Sequence, residues 1–422
     1  MITFTAVFLS ALALATGVQL WLAWRQIQHA LNHRDRVPEA FRTSIPLSDH
    51  RKAADYTAAK VRLGSLELLA GAGLLLAWTL GGGLGLVDRL WQSIGAPPFA
   101  AGVGVIVSVL AIGFVLELPF SAYRTFALEQ RFGFNRTTPA VFWSDTVKQV
   151  ALVFMLGIPI AALTLWFMES SGPWWWLWAW AAWMGFAILM MWAYPRFIAP
   201  LFNRFSPLEQ GEVRARVEAL LARVGFVSGG IFVIDGSRRS GHGNAYFTGF
   251  GNQKRIVFFD TLLQSLTAAE VESVLAHELG HFKRHHVLKG LAVMAALSLG
   301  ALALLGWLSQ KAWFYEGLGV TQPSAHAALA LLLLLLPLLG FYVQPLLTYF
   351  SRRHEYQADD FAAEHSDRGP LVSALVKLYR ENASTLTPDP LYSAFYDTHP
   401  PAPLRVAHLQ GHTSAAQQEV YA

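Results

Sequence analysis

The run Thr267-Ala268-Ala269-Glu270-Val271-Glu272-Ser273-Val274-Leu275-Ala276-His277-Glu278-Leu279-Gly280-His281 carries the densest chemistry in the chain. Thr267 and Glu270 have the spacing of a capping box, in which a hydroxyl and a carboxylate satisfy the first free N–H groups of a helix. On the helix they open, His277 and His281 lie four residues apart on one face, where two imidazoles can bind one Zn²⁺. Glu278 sits one position further round, able to face the metal's water without ligating it, as a general base must. The blander reading is a polar face of an interfacial helix with coincidental spacing. With 14 His in 422 residues, a chance H-E-x-x-H is an event on the order of a few per cent. A catalytic zinc takes three protein ligands plus a water, so one ligand must come from elsewhere. The chain has no cysteine, which excludes disulfides, thiolate metal sites and a thiol nucleophile and leaves only nitrogen and oxygen donors.

Ser351–Phe361 reads as a helix on which Glu355 and Asp359, four apart, share a face. Glu355 is the candidate third ligand, and Asp359 is placed to hold the other ring nitrogen of a ligand histidine. A solvated acidic stripe paired with Arg352 and Arg353 is the alternative. His354 faces away from Glu355 and takes no assignment. His285 and His286, beside Lys283 and Arg284, read as the basic membrane-interface end of the motif helix rather than as further ligands.

The elements that must position these residues are those of a membrane protein. Hydrophobic residues make up 54% of the chain and charged residues 14%, against about 25% charged in soluble domains. That balance excludes an ordinary soluble enzyme and a disordered chain. The net charge, 32 − 28 = +4, is too small to point to nucleic acid; the expected partners are membrane lipids and a peptide or protein substrate, with no nucleic acid. Seven apolar runs are long enough to span a bilayer: about 2–24, 64–87, 99–118, 149–168, 174–194, 287–308 and 326–350. Ala11-Leu12-Ala13 resembles a leader cleavage site, but no basic residue precedes it and the run continues through Trp24, so the first segment reads as an uncleaved span. The fourth and fifth runs form a hairpin across Glu169–Pro173, followed by an interfacial belt of tryptophans from Trp174 to Trp180. Basic residues concentrate in 25–62 and 119–148, whereas the turns after the second, fourth and sixth runs offer only Arg89 and Lys311. The positive-inside rule then places the N-terminus outside and both long polar regions in the cytoplasm.

Within the first polar region, 207–224 reads as an amphipathic helix stopped by Gly225, and Ile231–Ile234 and Arg255–Phe259 as strands. Between them lies the glycine-rich stretch Gly241–Gly251, with a third strand at Ala245–Thr248. No Lys-Ser/Thr follows its glycines, so it is not a phosphate loop. The expected class is a mainly α, polytopic membrane protein with a small β-sheet in a cytoplasmic, gluzincin-type zinc protease region. Its expected parts are 1–195 (five spans), 196–286 (the protease segment), 287–350 (spans six and seven) and 351–422 (the segment with the third ligand). Glu67 and Glu117 lie inside apolar runs, where snorkelling or pairing with Arg62 and Arg124 competes with a functional role.

These features together resemble the type I CAAX prenyl protease family, integral-membrane zinc endopeptidases with an H-E-x-x-H motif and a downstream Glu ligand. The likeness extends over Leu118–Ser121, Glu129–Asn135, Ile198–Asn203, Asp235–Ser240, Asn244–Phe247, His277–His281, Glu355–Asp359 and Asp397–Pro401, nearly the whole chain. It implies seven helices enclosing a chamber, one zinc at the cytoplasmic face, and cleavage near a chain terminus that can carry a lipid. It also implies roles that spacing alone leaves open. Asn244, Ala245, Tyr246 and Phe247 would be the strand edge that pairs with substrate, His399 and Asn244 would hold the developing oxyanion, and Arg405 would lie beside the zinc site. Read without the family, these are an ordinary strand, a structural His before two prolines, and a surface Arg at the start of a terminal helix. The Ala- and Leu-rich, cysteine-free composition suits a bacterial inner membrane, hence an unprenylated natural substrate and a role in membrane-protein quality control. A transporter or scaffold with a regulatory zinc is the competing class, but it has no use for Glu278.

Overall fold

The computed structural model describes residues 2–248 and 254–411; Gly249–Gly251, the end of the glycine-rich stretch, lie outside the described residues. The chain opens with α1 (Ile2–Asn32), α2 (Leu47–Trp78), α3 (Gly83–Ser93), α4 (Pro98–Tyr123), α5 (Pro139–Ser170) and α6 (Trp175–Ala193). The short α7 (Ala199–Phe202), then α8 (Glu212–Arg223), α9 (Asp260–Ser265) and α10 (Ala268–Lys283) accompany a small sheet. The remainder is α11 (His286–Leu308), α12 (Ala312–Gly317), α13 (Ala325–His365), α14 (Arg368–Glu381), α15 (Pro390–Tyr396) and α16 (Ala402–Leu409). Among the described residues, α1, α2, α4, α5, α6, α11 and α13 are long and apolar enough to cross a membrane, with α4 and α6 prolonged by π-helical turns at Arg124–Glu129 and Tyr194–Ile198. Only 11–33% of their most apolar stretches is buried inside the protein. The rest suits lipid, where helices that satisfy their own backbone are stable.

The second span departs from the sequence expectation. It ends at Trp78 rather than 87, because Gly82 adopts φ +74° and starts the separate helix α3. A hydropathy run crosses such a break unnoticed, whereas the backbone uses the glycine for a conformation that L side chains rarely adopt. The last span differs in the other direction. The helix expected at 351–361 continues span seven without interruption, as one 41-residue α13 that tolerates both Pro337 and Pro345. Glu67 and Glu117 both approach Arg124, the latter at 3.9 Å, in accord with the pairing alternative.

The sheet contains β1 (Phe205–Pro207), β2 (Ile231–Ile234), β3 (Ala245–Thr248) and β4 (Arg255–Phe259) in the order β1-β2-β4-β3. β2 and β4 run parallel, and β1 and β3 are antiparallel to their neighbours. Three strands were expected and four form; the addition is β1, at the start of the stretch read as helix from 207. The residue before a proline is biased toward extended backbone, and Ser206-Pro207 pairs with Phe232 and Val233. Leu220, Phe258, Leu275 and Leu279 are buried in the core joining α8, the sheet, α10 and α14.

Candidate metal centre

The capping box forms as spaced. Thr267 N–H donates to Glu270 Oε2 at 2.7 Å and Glu270 N–H to Thr267 Oγ1 at 3.4 Å. Glu270 also accepts from Ser373 Oγ at 2.6 Å and Lys377 Nζ at 2.8 Å, which ties the start of α10 to α14. Four turns on, α10 meets α13 at Gly280, where a Cβ would stand 2.9 Å from Ala358 Cα. Only a hydrogen fits, so the two helices approach closely enough for their side chains to share one site.

At that crossing His277, His281 and Glu355 converge. His277 Nε2 lies 3.2 Å from His281 Nε2 and 3.4 Å from Glu355 Oε2, and His281 Nε2 lies 3.2 Å from Glu355 Oε1. Zinc–nitrogen bonds of about 2.0–2.1 Å in tetrahedral geometry hold donors about 3.4 Å apart, so these spacings fit a shared ion. A second observation agrees. Glu355 Oε2 is buried without a hydrogen-bond partner, the sort of acceptor that is otherwise costly to leave unsatisfied.

Behind the donors stands a buried ionic frame. His277 Nδ1 lies 2.8 Å from Asp359 Oδ1, which fixes the tautomer that exposes Nε2. Arg405, on α16, donates to both oxygens of Asp359 at 2.8 and 2.6 Å and approaches Glu355 Oε2 at 3.5 Å. Asp359 is completely buried and Arg405 nearly so, so Arg405 is no surface residue. His399 Nε2 comes within 3.4 Å of Glu355 Oε1 with its side chain 60% exposed, facing open space from the edge of the site. Its loop is held by Arg352, which donates to Asp397 O at 2.9 Å, and by Tyr379, which donates to Pro400 O at 3.3 Å.

Glu278, beside His277, has its carboxyl pushed up from the ordinary range by burial. Asn244 is exposed at the start of β3, and its Oδ1 accepts from Ala245 N–H at 2.8 Å. Among the described residues it makes no hydrogen bond to His277, His281 or Glu355. Ala245 is buried, and Tyr246 and Phe247 are half-buried, on the outer strand of the sheet.

His286 has contacts that the sequence reading left out. It is buried at the first residue of α11, where α10 has ended at Lys283 and His285 turns the chain through a left-handed conformation at φ 57°. His286 Nδ1 then meets His281 Nδ1 at 3.0 Å while its Nε2 meets Gln357 Oε1 at 3.0 Å, and its ring stacks on His354 at 3.9 Å. His354, unassigned from sequence, is thereby part of the support for the second histidine. No glycine or proline marks the turn at 284–285, so nothing in the local sequence announced it.

Two family models match almost end to end: CAAX prenyl protease N-terminal, five membrane helices, over residues 26–204, and Peptidase family M48 over residues 207–413. A CAAX prenyl protease 1 homolog from Dictyostelium discoideum is 33% identical over 420 residues, 95% of each chain. CAAX prenyl protease 1 from Saccharomyces cerevisiae is 36% identical over 312 residues, 70% of this chain and 69% of the yeast protein. The crystal structure of S. mikatae Ste24p superposes with a TM-score of 0.88 at 29% identity, covering 96% of this chain and 99% of that one. Likeness of this extent, in sequence and in fold, settles the classification: the chain belongs to the M48 peptidase family, within its CAAX prenyl protease group of membrane-embedded zinc metalloendopeptidases.

Proposed function

We propose that the protein cuts a peptide bond near the C-terminal end of a substrate laid antiparallel along the outer edge of β3, and that it accepts lipid-modified tails. The observation that carries this reading is where that edge leads. β3 packs against α10 and has no partner on its outer side among the described residues. At one end, Phe247 and Thr248 border an apolar cavity of about 910 Å³ between α6 and α11. At the other, Asn382 accepts from Gly243 N–H at 3.3 Å and lines a polar cavity of about 350 Å³ that reaches His399. An edge strand joining an apolar cavity to a polar one suits an amphipathic chain end, with Asn244, Ala245, Tyr246 and Phe247 supplying the β-pairing. Similar proteins are named as CAAX prenyl proteases, which supports a lipidated tail as one substrate.

A zinc held by His277, His281 and Glu355 supplies Lewis-acid polarisation of the scissile carbonyl and of the attacking water. The chain's own groups do the rest. Glu278, its proton affinity raised by burial, takes a proton from water as the water oxygen bonds to the carbonyl carbon. It returns the proton to the amine nitrogen as the C–N bond breaks, leaving a carboxylic acid and an amine, and the acid's remaining proton passes to the amine to give a carboxylate and an ammonium. His399 and Asn244 donate to the oxygen on which negative charge develops. Asp359 and Arg405 hold His277 and Glu355 in place. The charge distribution between spans supports an external N-terminus and a cytoplasmic site. The cysteine-free, Ala- and Leu-rich composition supports a bacterial inner membrane and natural substrates without prenyl groups, cleaved in quality control. The four-part organisation 1–195, 196–286, 287–350 and 351–422 follows the alternation of apolar and polar segments.

Farnesylated and unfarnesylated versions of one peptide, incubated with the purified protein, test the reading. Both are expected to be cut, the farnesylated one with the lower KM; a strict farnesyl requirement would count against quality control. Glu278→Gln should lower kcat by about 10²–10⁴ while bound zinc, counted by metal analysis, stays at one per chain. Unchanged turnover would sink the role of Glu278.

A further inference from the structure

The polar cavity beside His399 contains a cation that touches no carboxylate among the described residues. Lys60 of α2 lines this cavity together with Thr57, Asn382, Thr385 and His399. Its ammonium lies 5.0 Å from the centre of the Tyr56 ring, and among the described residues no carboxylate oxygen comes within 4.0 Å of it. Glu129, the acid bonded to Tyr56, acts on Lys60 only through space. It accepts from Tyr56 OH at 2.5 Å, and His242 Nε2 lies 3.5 Å from its other oxygen. The opposite wall is the turn after α14, where Ala383 takes the left-handed φ of 45°. That turn lets Asn382 face the cavity and at the same time hold His242 and Gly243, the residues that lead into β3.

Strand direction decides what enters. A chain paired antiparallel to β3 has its C-terminal side at the Asn244 end, which opens onto this cavity rather than onto the apolar one. About three extended residues reach 10–11 Å, and about 350 Å³ houses a fragment of that order. Its walls are mostly polar, so the fragment's terminal charge stays hydrogen-bonded. Resting on the peptidase reading above, we propose that this cavity is the binding site for the short C-terminal fragment on the leaving side of the cut, and that Lys60 pairs with its terminal carboxylate. A charge-assisted N–H···O contact of this kind is about twice as strong as a neutral one. Lys60 therefore acts as a specificity residue that measures the distance from the cut to the chain end.

The test uses one decapeptide with a farnesylated cysteine fourth from its end, made as the free acid and as the C-terminal amide. The whole protein should favour the acid by about tenfold in kcat/KM, expressed in KM. Lys60→Met should bring the acid-to-amide ratio close to one, Lys60→Arg should restore most of it, and Lys60→Glu should reverse it. Because the ratio is taken within one preparation, partial loss of folded protein does not move it. A ratio unchanged in Lys60→Met, or equal cutting of both peptides by the unmodified protein, overturns the Lys60 assignment and leaves the peptidase reading standing. Failure to cut either peptide overturns both.

Discussion

At the scale of single residues, the centre depends on buried charges that balance only as a set. Asp359 receives His277 and both arms of Arg405, so its two oxygens are fully used. Asp359→Asn keeps the shape, but it replaces an acceptor oxygen with a donor facing another donor and leaves Arg405 uncompensated in a dry site. Zinc affinity, measured by competition with a chromophoric chelator, should fall about 10- to 100-fold, with turnover recovering at excess zinc. Unaltered affinity would show that the pair is only structural. This part of the site was legible because i, i+4 spacing is a local property: His277, His281, Glu355 and Asp359 announce themselves within their own helices. The support for His281 was not. Its partner His286 reaches it only through the turn at 284–285, which no residue type marks, and Gln357 and His354 come from another helix. Arg405 is intermediate. Its burial beneath the site depends on α16 folding back against α13, a tertiary fact that only the family resemblance could suggest.

At the scale of elements, the decisive contact is the crossing of α10 and α13. Gly280 touches Ala358 backbone there, and the donors of the two helices meet one turn away. Gly280→Ala would raise intrinsic helix propensity by about 1 kcal/mol, which in isolation stabilises α10. A Cβ at 2.9 Å from a backbone carbon cannot be relieved by rotating a side chain, however, so the helices must separate, at a cost of about 1–3 kcal/mol. The net expectation is a lower melting temperature and weaker zinc binding together; a variant that melts higher with zinc affinity intact would refute the argument. The spans and the strands β2, β3 and β4 were readable because hydropathy and β-branching are continuous within each. The end of the second span and the pre-proline strand β1 were misread because their breaks are conformational, in Gly82 and Ser206-Pro207, and barely alter hydropathy. The π-helical turn at Arg124–Glu129 holds no glycine or proline to mark it, and Pro195 in Tyr194–Ile198 marks a break in the helix ladder without specifying its kind.

At the scale of the whole molecule, the C-terminal segment must stay docked on the membrane helices, since it brings His399 and Arg405 to residues that α10 and α13 supply. Among the described residues, two ion pairs join it to α1 and α2. Arg25 of α1 grips Asp389 with contacts of 3.2 and 2.8 Å, while Asp389 N–H donates to Gln26 Oε1 at 2.6 Å. Arg380 of α14 reaches Asp49 of α2 at 2.8 Å. The second is exposed and contributes little; the first is anchored on a carboxylate that is almost fully buried. Burial alone would raise the Asp389 carboxyl, but Arg25 and the Tyr392 N–H outweigh it and hold the group below its ordinary value. A carboxylate whose folded value is depressed stabilises the fold above its unfolded value, about 3.9, and that contribution is lost as pH falls through the folded one. Arg25→Ala should therefore destabilise the metal-free protein by about 1–3 kcal/mol at pH 7, since Asp389 is left buried without its cation. The melting difference from the unmodified protein should be full at pH 7 and narrow as pH falls toward and through about 4, where protonation removes the charge that Arg25 was there to balance. A difference that stays constant through that range would mean that Arg25 contributes packing rather than charge.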